Sequence, residues 1–125
     1  METEVNVLVV DDSESIREVV SAELSDQGFY TEEAINGVDG LDKLKSNKNY
    51  QLIITDLNMP EMDGISFLTE VRKLEEYKYI PILILTTESQ QAKKNEARAA
   101  GATGWIIKPF DQRRLISVVH KVIKS

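Results

Sequence analysis

The stretch VNVLVVDDSES, Val5 to Ser15, runs almost entirely aliphatic for six residues and then places two aspartates side by side before a serine. A strand with one face in water alternates polar and apolar positions. This run is β-branched and nearly unbroken, so it reads as a strand covered on both faces, as in a parallel sheet. Ser13 can cap a following helix, whose face carries Ile16, Val19, Val20 and Leu24 and which Gly28 stops. Strand, acid pair and capped helix follow one another within a few residues, and the two like charges at the strand's mouth need something to hold.

The same grammar repeats along the chain. QLIIT at 51–55 and PILIL at 81–85 read as further buried strands, while FYTEEA at 29–34 and TGWIIK at 103–108 mix apolar with polar or glycine positions and suit the sheet's edges. Helical patterns lie between them. The second helix carries Val38, Leu41 and Leu44 after an Asn36-Gly37 turn; the third follows MPEMDG with Ile65, Leu68 and Val71; the last starts near Asp111 and turns Leu115, Val118, Val119 and Val122 inward. The fourth, ESQQAKKNEARAA closed by Gly101, offers only Ala92, Ala99 and Ala100 to the core. At ~0.8 kcal/mol per buried methylene, an alanine face gains several kcal/mol less than a leucine stripe, so this helix is expected to be weakly held and able to take two positions. Five strands alternating with five helices predict an α/β fold, a doubly wound five-stranded parallel sheet of order 2-1-3-4-5.

Composition narrows the function classes. The 125 residues suit one domain, expected to span 1–125 with no output domain attached. No apolar run approaches the ~18 residues that span a bilayer, and METEVNV lacks the basic and apolar regions of a secretory signal, so membrane insertion is not expected and the cytoplasm is the expected compartment. The absence of cysteine removes disulfides, thiol nucleophiles and thiolate metal sites together. A net charge of -6 argues against binding nucleic acid non-specifically and for basic or partly apolar protein partners; a monomer is expected.

In such sheets ligands bind beyond the carboxyl ends of the strands. Asp11 and Asp12 follow the first apolar run, Asp56 the third, Thr86 and Thr87 the fourth, and Lys108 with Pro109 the fifth. The first and third strands are neighbours in the predicted order, which brings three carboxylates together. At about 4 Å and an effective dielectric near 20, each pair of such charges repels by roughly 4 kcal/mol, so the triad either binds a cation or shifts its pKa values. Magnesium suits an all-oxygen site that leaves positions for phosphate oxygens, and Lys108 and Thr86 supply a charge and a hydroxyl to hold the rest of a phosphoryl group. Neither GxxxxGK[ST] nor GxGxxG occurs, so a phosphoryl group must come from another molecule. Its acceptor is expected to be a carboxylate, since there is no cysteine and the single histidine, His120, lies in the last helix; Asp56, on the central strand, is best placed.

VLVVDDS, ITDLNMPEMDG, LTTES and AGATGWIIKPF, in this order and spacing, resemble the receiver domain of two-component response regulators, and in particular the single-domain chemotaxis regulators of CheY type. The resemblance covers essentially the whole chain. It implies that Asp56 accepts phosphate from a histidine kinase, that Asp11, Asp12, Asp56 and the Asn58 carbonyl bind Mg2+, that Lys108 contacts the phosphoryl group and that the Thr86 hydroxyl moves toward it. It further implies coupling of that movement to an aromatic at position 105, here Trp105 where tyrosine or phenylalanine is usual. Asn58 and Glu88 would flank the phosphoryl group and tune its loss to water. Thr87 stands where a small residue is common, and a cis bond is expected between Lys108 and Pro109. The implied protein is a phospho-acceptor switch and not an enzyme in the usual sense, although it assists its own phosphorylation and dephosphorylation. Its partners would be a chemotaxis kinase, a phosphatase, and a flagellar motor switch protein that sets flagellar rotation.

Other readings stay in view. A single-domain receiver in a non-chemotaxis phosphorelay fits the same residues. A Mg2+-dependent aspartyl-phosphate phosphatase of the haloacid dehalogenase type sets its two acids two residues apart, whereas Asp11 and Asp12 are adjacent and position 58 is asparagine. A flavodoxin-like redox carrier needs a Ser/Thr/Gly loop where DDSES stands, and a degenerate receiver would not keep Asp56, Lys108 and the acid pair. Taken singly, Glu88 reads as a helix starter, Trp105 as edge packing, and Lys93, Lys94, Arg98, Arg113 and Arg114 as solvated faces or the border of a partner surface.

Overall fold

The computed structural model describes residues 5–46 and 49–124; the start of the stretch read above for a leader, residues 1–4, lies outside them. Five strands, β1 (Asn6–Val10), β2 (Tyr30–Ala34), β3 (Leu52–Thr55), β4 (Ile82–Thr86) and β5 (Gly104–Ile107), form one sheet in the order β2-β1-β3-β4-β5 with every pair parallel. Five helices alternate with them: α1 (Glu14–Asp26), α2 (Gly37–Lys45), α3 (Gly64–Lys73), α4 (Gln91–Ala100) and α5 (Gln112–Lys124). This is the architecture expected from the alternation of runs. A 3-10 turn at Glu75–Tyr77, which no periodicity announced, leads from α3 into β4. No helix among the described residues is long and apolar enough to cross a membrane.

The unbroken apolar character of β1 has a plain structural cause. Successive side chains of a strand point to opposite faces, and both faces of this sheet are covered. Val7 and Val9 join Leu52, Ile54, Leu83, Leu85 and Ile106 under α1 and α5, which contribute Val20, Leu24, Leu115, Val119 and Val122. Leu8 and Val10 join Ile53, Ile82 and Ile84 on the other side, under Leu41 and Leu44 of α2, Phe67, Leu68 and Val71 of α3, and Ala97 of α4. Edge strand β2 leaves Tyr30 exposed.

Three expectations about helix faces need correction. Val19 and Val38 are exposed. In α1 the stripe through Ile16, Val20 and Leu24 repeats every four residues and leaves Val19 about 100° off its axis. Val38 sits in the first turn of a helix whose inward face is set by Leu41 and Leu44 farther along. In α4 the buried alanine is Ala97, with Ala100 half-buried, whereas Ala92 and Ala99 face solvent. The helix still offers the core little more than methyl groups, and its first residue follows Gln90, which makes no side-chain cap bond.

Its far end is moored differently. Arg72, on α3, donates through Nη1 to the carbonyls of Tyr77 (3.2 Å), Lys78 (3.2 Å) and Ile80 (2.7 Å) and through Nη2 to that of Gly101 (2.5 Å). Gly101 closes α4 at φ +115, and a β-carbon there would come within 2.6 Å of the Arg72 Nε. Glycine is required both by the left-handed backbone and by the approach of the guanidinium. Burial pulls the Arg72 pKa down from its ordinary value, a sign of how fully the carbonyls replace water around it. Charge-assisted hydrogen bonds contribute about 1.5–3 kcal/mol each, partly offset here by desolvation, so Arg72→Met is expected to lower the unfolding free energy by roughly 2–4 kcal/mol, read as a lower urea midpoint at unchanged slope.

Candidate functional site

The register of β1 on β3 pairs Val10 with Thr55, so the residue after each strand, Asp11 and Asp56, leaves the sheet at the same rim. Asp11 is held on every side. Its N–H donates to the Ala34 carbonyl (3.1 Å), its Oδ1 accepts from the Ser13 N–H (2.9 Å), and its Oδ2 accepts from the Lys108 Nζ (2.7 Å). Asp56 is 8% exposed and uses its Oδ1 to accept from the backbone N–H of Leu57 (2.6 Å) and Asn58 (3.3 Å), while Oδ2 accepts from Lys108 at 3.1 Å. Asp12 is exposed, yet one carboxylate oxygen from each of Asp11, Asp12 and Asp56 lies within 4.8 Å of the others. Such an all-oxygen donor set fits a hard dication such as magnesium and offers nothing to a metal that prefers nitrogen or sulfur.

Lys108 reaches this cluster from the end of β5, whose ladder is continued by its N–H donating to the Thr86 carbonyl (2.8 Å). The peptide between Lys108 and Pro109 is cis, as expected. Thr86 ends β4 fully buried, and its hydroxyl oxygen accepts from the Glu88 N–H at 3.2 Å. Thr87 is exposed. The Glu88 carboxylate in turn accepts from the Gln90 N–H (3.3 Å), in the turn just before α4. Asn58 stands exposed at the rim beside Asp56.

Trp105 sits apart from the acids. It pairs with Ile84 in the sheet, two residues before the Thr86–Ile107 pair, and packs half-buried against the core with its indole N–H buried and, among the described residues, without an acceptor. The Lys94 ammonium lies 5.9 Å from its ring centroid. His120 contacts Phe29 on the α5 side, ring centroids 5.8 Å apart, and takes no part in the rim.

Two residues that shape the site escaped the sequence reading. Gly64 starts α3 directly behind the acid: a β-carbon there would be 2.5 Å from the Asp56 carbonyl oxygen and 2.6 Å from the Leu57 Cα, so no larger residue fits. The glycine ending MPEMDG was the available signal. Arg17 donates from Nη1 to the Asp11 carbonyl at 2.7 Å, a contact between a helix side chain and a backbone oxygen that leaves no trace in the pattern of residue types.

The family description "Response regulator receiver domain" matches residues 7–120. Among curated proteins, the chain is 38% identical over 119 residues to chemotaxis protein CheY-3 of Vibrio cholerae, covering 94% of this chain and 91% of that one. Among solved structures, chemotaxis protein CheY4 of Vibrio cholerae superposes with a TM-score of 0.92 at 44% identity, over 96% of this chain and 99% of that one. The receiver domain of the sensor histidine kinase PA1611 of Pseudomonas aeruginosa, described with a magnesium ion coordinated in its active site cleft, superposes with a TM-score of 0.89 at 25% identity, over 98% and 100% of the two chains.

The electrostatics of the cluster are those of one cation shared by crowded acids. Burial raises the Asp11 pKa, and its hydrogen bonds to Lys108 and Ser13 only partly restore it. Burial alone would lower the Lys108 pKa, but the bond to Asp11 and the charges of Asp56 and Asp11 outweigh it and leave it above the ordinary 10.5. A lysine raised in the folded state contributes stability that is full below its unfolded value and is lost as pH rises through its folded one. The difference in unfolding free energy between wild type and Lys108→Met is therefore expected to hold steady from neutrality to about pH 10.5 and to shrink above it, followed by urea titrations across the alkaline range.

Proposed function

The chain belongs to the response regulator receiver domain family, and from that premise we propose that it is a phospho-acceptor switch of a two-component system, acting in chemotaxis. The observation that carries this reading is the single Lys108 ammonium spanning Asp11 and Asp56 inside a cluster of three carboxylates. A carboxylate in that setting is positioned to attack a phosphorus atom. Asp56 forms the new O–P bond as the P–N bond of a kinase phosphohistidine breaks, and the imidazole leaves with a proton from solvent. Bound Mg2+, held by Asp11, Asp12, Asp56 and the Asn58 carbonyl, would supply positive charge to the phosphoryl oxygens.

The chain's own groups do the rest. Lys108 is close enough to Asp56 to transfer its hydrogen bond to a phosphoryl oxygen once the carboxylate is esterified. The Thr86 oxygen accepts from the Glu88 N–H and, among the described residues, its own O–H has no acceptor and is available to donate. Charge-assisted bonds of ~1.5–3 kcal/mol each from Thr86 and Lys108 together approach the ~5.5 kcal/mol needed to turn a switch from mostly off to mostly on. Asn58 and Glu88, beside Asp56 and Thr86 in the chain, are the residues proposed to tune hydrolysis. Drawing Thr86 toward the phosphoryl group pulls on the segment that leads into α4, the weakly held helix, and through it on the α4, β5 and α5 surface around Trp105. That surface is proposed to select a flagellar motor switch protein in the cytoplasm, with a chemotaxis kinase and a phosphatase as the other partners of a monomeric protein.

Incubation with acetyl phosphate and Mg2+ is expected to add one phosphoryl group by intact mass, lost in Asp56→Asn and on chelation of the metal. Trp105 fluorescence should change on adding beryllium fluoride to wild type and stay flat in Asp56→Asn. Addition of phosphate to the Asp56→Asn variant would place the acceptor elsewhere. Continuous turnover of small phosphate esters, undiminished by Asp12→Ala, would favour a phosphatase instead.

A further inference from the structure

A basic side chain near a helix N-terminus opposes the macrodipole, at a cost of about 0.3–1 kcal/mol, so Arg17 in the opening turn of α1 calls for a compensating partner. Its partners lie behind the acid pair. Nη1 donates to the Asp11 carbonyl at 2.7 Å and Nε donates to Glu33 Oε1 at 3.1 Å, on the neighbouring strand β2. Ser21, one turn along α1, donates to the other oxygen of Glu33 at 3.3 Å. The guanidinium is largely buried, its side chain 12% exposed, and the carboxylate that braces it is thereby anchored to both β2 and α1.

The Asp11 carbonyl belongs to the peptide that joins Asp11 to Asp12. That peptide is planar, so fixing the direction of its C=O fixes the direction in which the Asp12 Cα leaves. Asp12 needs such help. Asp11 is held through its own N–H and both carboxylate oxygens, whereas the Asp12 carboxylate is exposed and, among the described residues, makes no hydrogen bond that would aim it. Yet it stands within 4.8 Å of the Asp11 and Asp56 oxygens.

We propose that Arg17, braced by Glu33 and Ser21, is a positioning residue: it locks the Asp11–Asp12 peptide so that the Asp12 carboxylate points into the three-acid cluster, and it thereby sets the affinity for a divalent cation. The inference rests on the metal site of the proposed function. It makes a prediction opposite in sign to the simple charge effect. A cation beside a metal site repels the metal, so an Arg17 that acted by charge alone would weaken binding, and its removal would tighten it. An Arg17 that acts by orientation strengthens binding, and its removal loosens it.

Isothermal titration of the full chain with MgCl2, repeated with wild type, Arg17→Met, Arg17→Lys and Asp12→Ala, decides between these. Groups that orient metal ligands from behind typically contribute 10–100-fold to affinity, so Arg17→Met is expected to weaken Mg2+ binding by roughly tenfold or more. Arg17→Lys keeps the charge but cannot hold the carbonyl and Glu33 with a rigid fork, and is expected to lose roughly threefold to tenfold. Urea midpoints in EDTA report any general loss of stability separately, because a purely structural role moves the midpoint and leaves the magnesium affinity of the folded protein alone. Wild-type or tighter affinity in either Arg17 variant, with Asp12→Ala impaired, would overturn the inference while leaving the metal site intact. Should Arg17→Met fail to fold, Arg17→Lys decides alone. Wild-type affinity in Asp12→Ala would remove both the ligand and the role assigned to Arg17.

Discussion

Lys108 carries a charge into a place where three acids already crowd one another, and the geometry of the rim depends on its staying there. Its Nζ lies 2.7 Å from Asp11 and 3.1 Å from Asp56, carboxylates borne by two different strands. At ~3 Å and an effective dielectric near 20, each of these attractions is on the order of 5–6 kcal/mol, against roughly 3–4 kcal/mol for a carboxylate pair at the outer spacing of the cluster. A single ammonium can therefore hold neighbouring acids together, although it leaves negative charge in excess. That residual charge is what a dication would match. The lysine can play this part because the sheet order puts β5 one strand beyond β4, and its long side chain crosses the gap to β3 and β1.

The scaffold beneath keeps the interior strands apolar up to the rim. Both faces of the sheet are sealed by apolar side chains, and in the interior strands β3 and β4 polar residues appear only at the carboxyl end, whereas edge strand β2 carries Thr31, Glu32 and Glu33 along its length. Thr86 shows the boundary most clearly: it is fully buried yet keeps its hydroxyl bonded to the turn above, so the last residue of β4 is at once core and site. Gly64 does comparable work from the helix side, letting α3 begin in direct contact with the backbone of Asp56.

Much of this could be read from residue types. Apolar runs mark strands, their ends mark the rim, and Asp11, Asp12, Asp56, Thr86 and Lys108 all fall at such ends. Helix faces were read less well. Val19 and Val38 are apolar and adjacent to the right stripes but lie off the axis that a 3.6-residue turn imposes, and in α4, where several alanines compete, composition alone does not select Ala97. The two arginines that brace the scaffold were not legible at all. Arg17 and Arg72 act on backbone carbonyls supplied by the loop before α1 and by segments after α3 and α4, and a carbonyl has the same chemistry whatever residue bears it. These backbone partners are set by the fold and not by any pattern of side chains.

The mooring of α4 by Arg72 has a mechanical consequence. Ten residues of helix are about 15 Å long. With one end gripped at Gly101, the helix has the form of a lever whose fulcrum lies near the start of β4 and whose other end, Gln91, follows Thr86 by five residues in the chain. A tilt of ~10° would carry that end by roughly 2.6 Å while scarcely disturbing the pivot. A small displacement at the rim would thus become surface motion close to where it arises, and the opposite end of the molecule would be spared it.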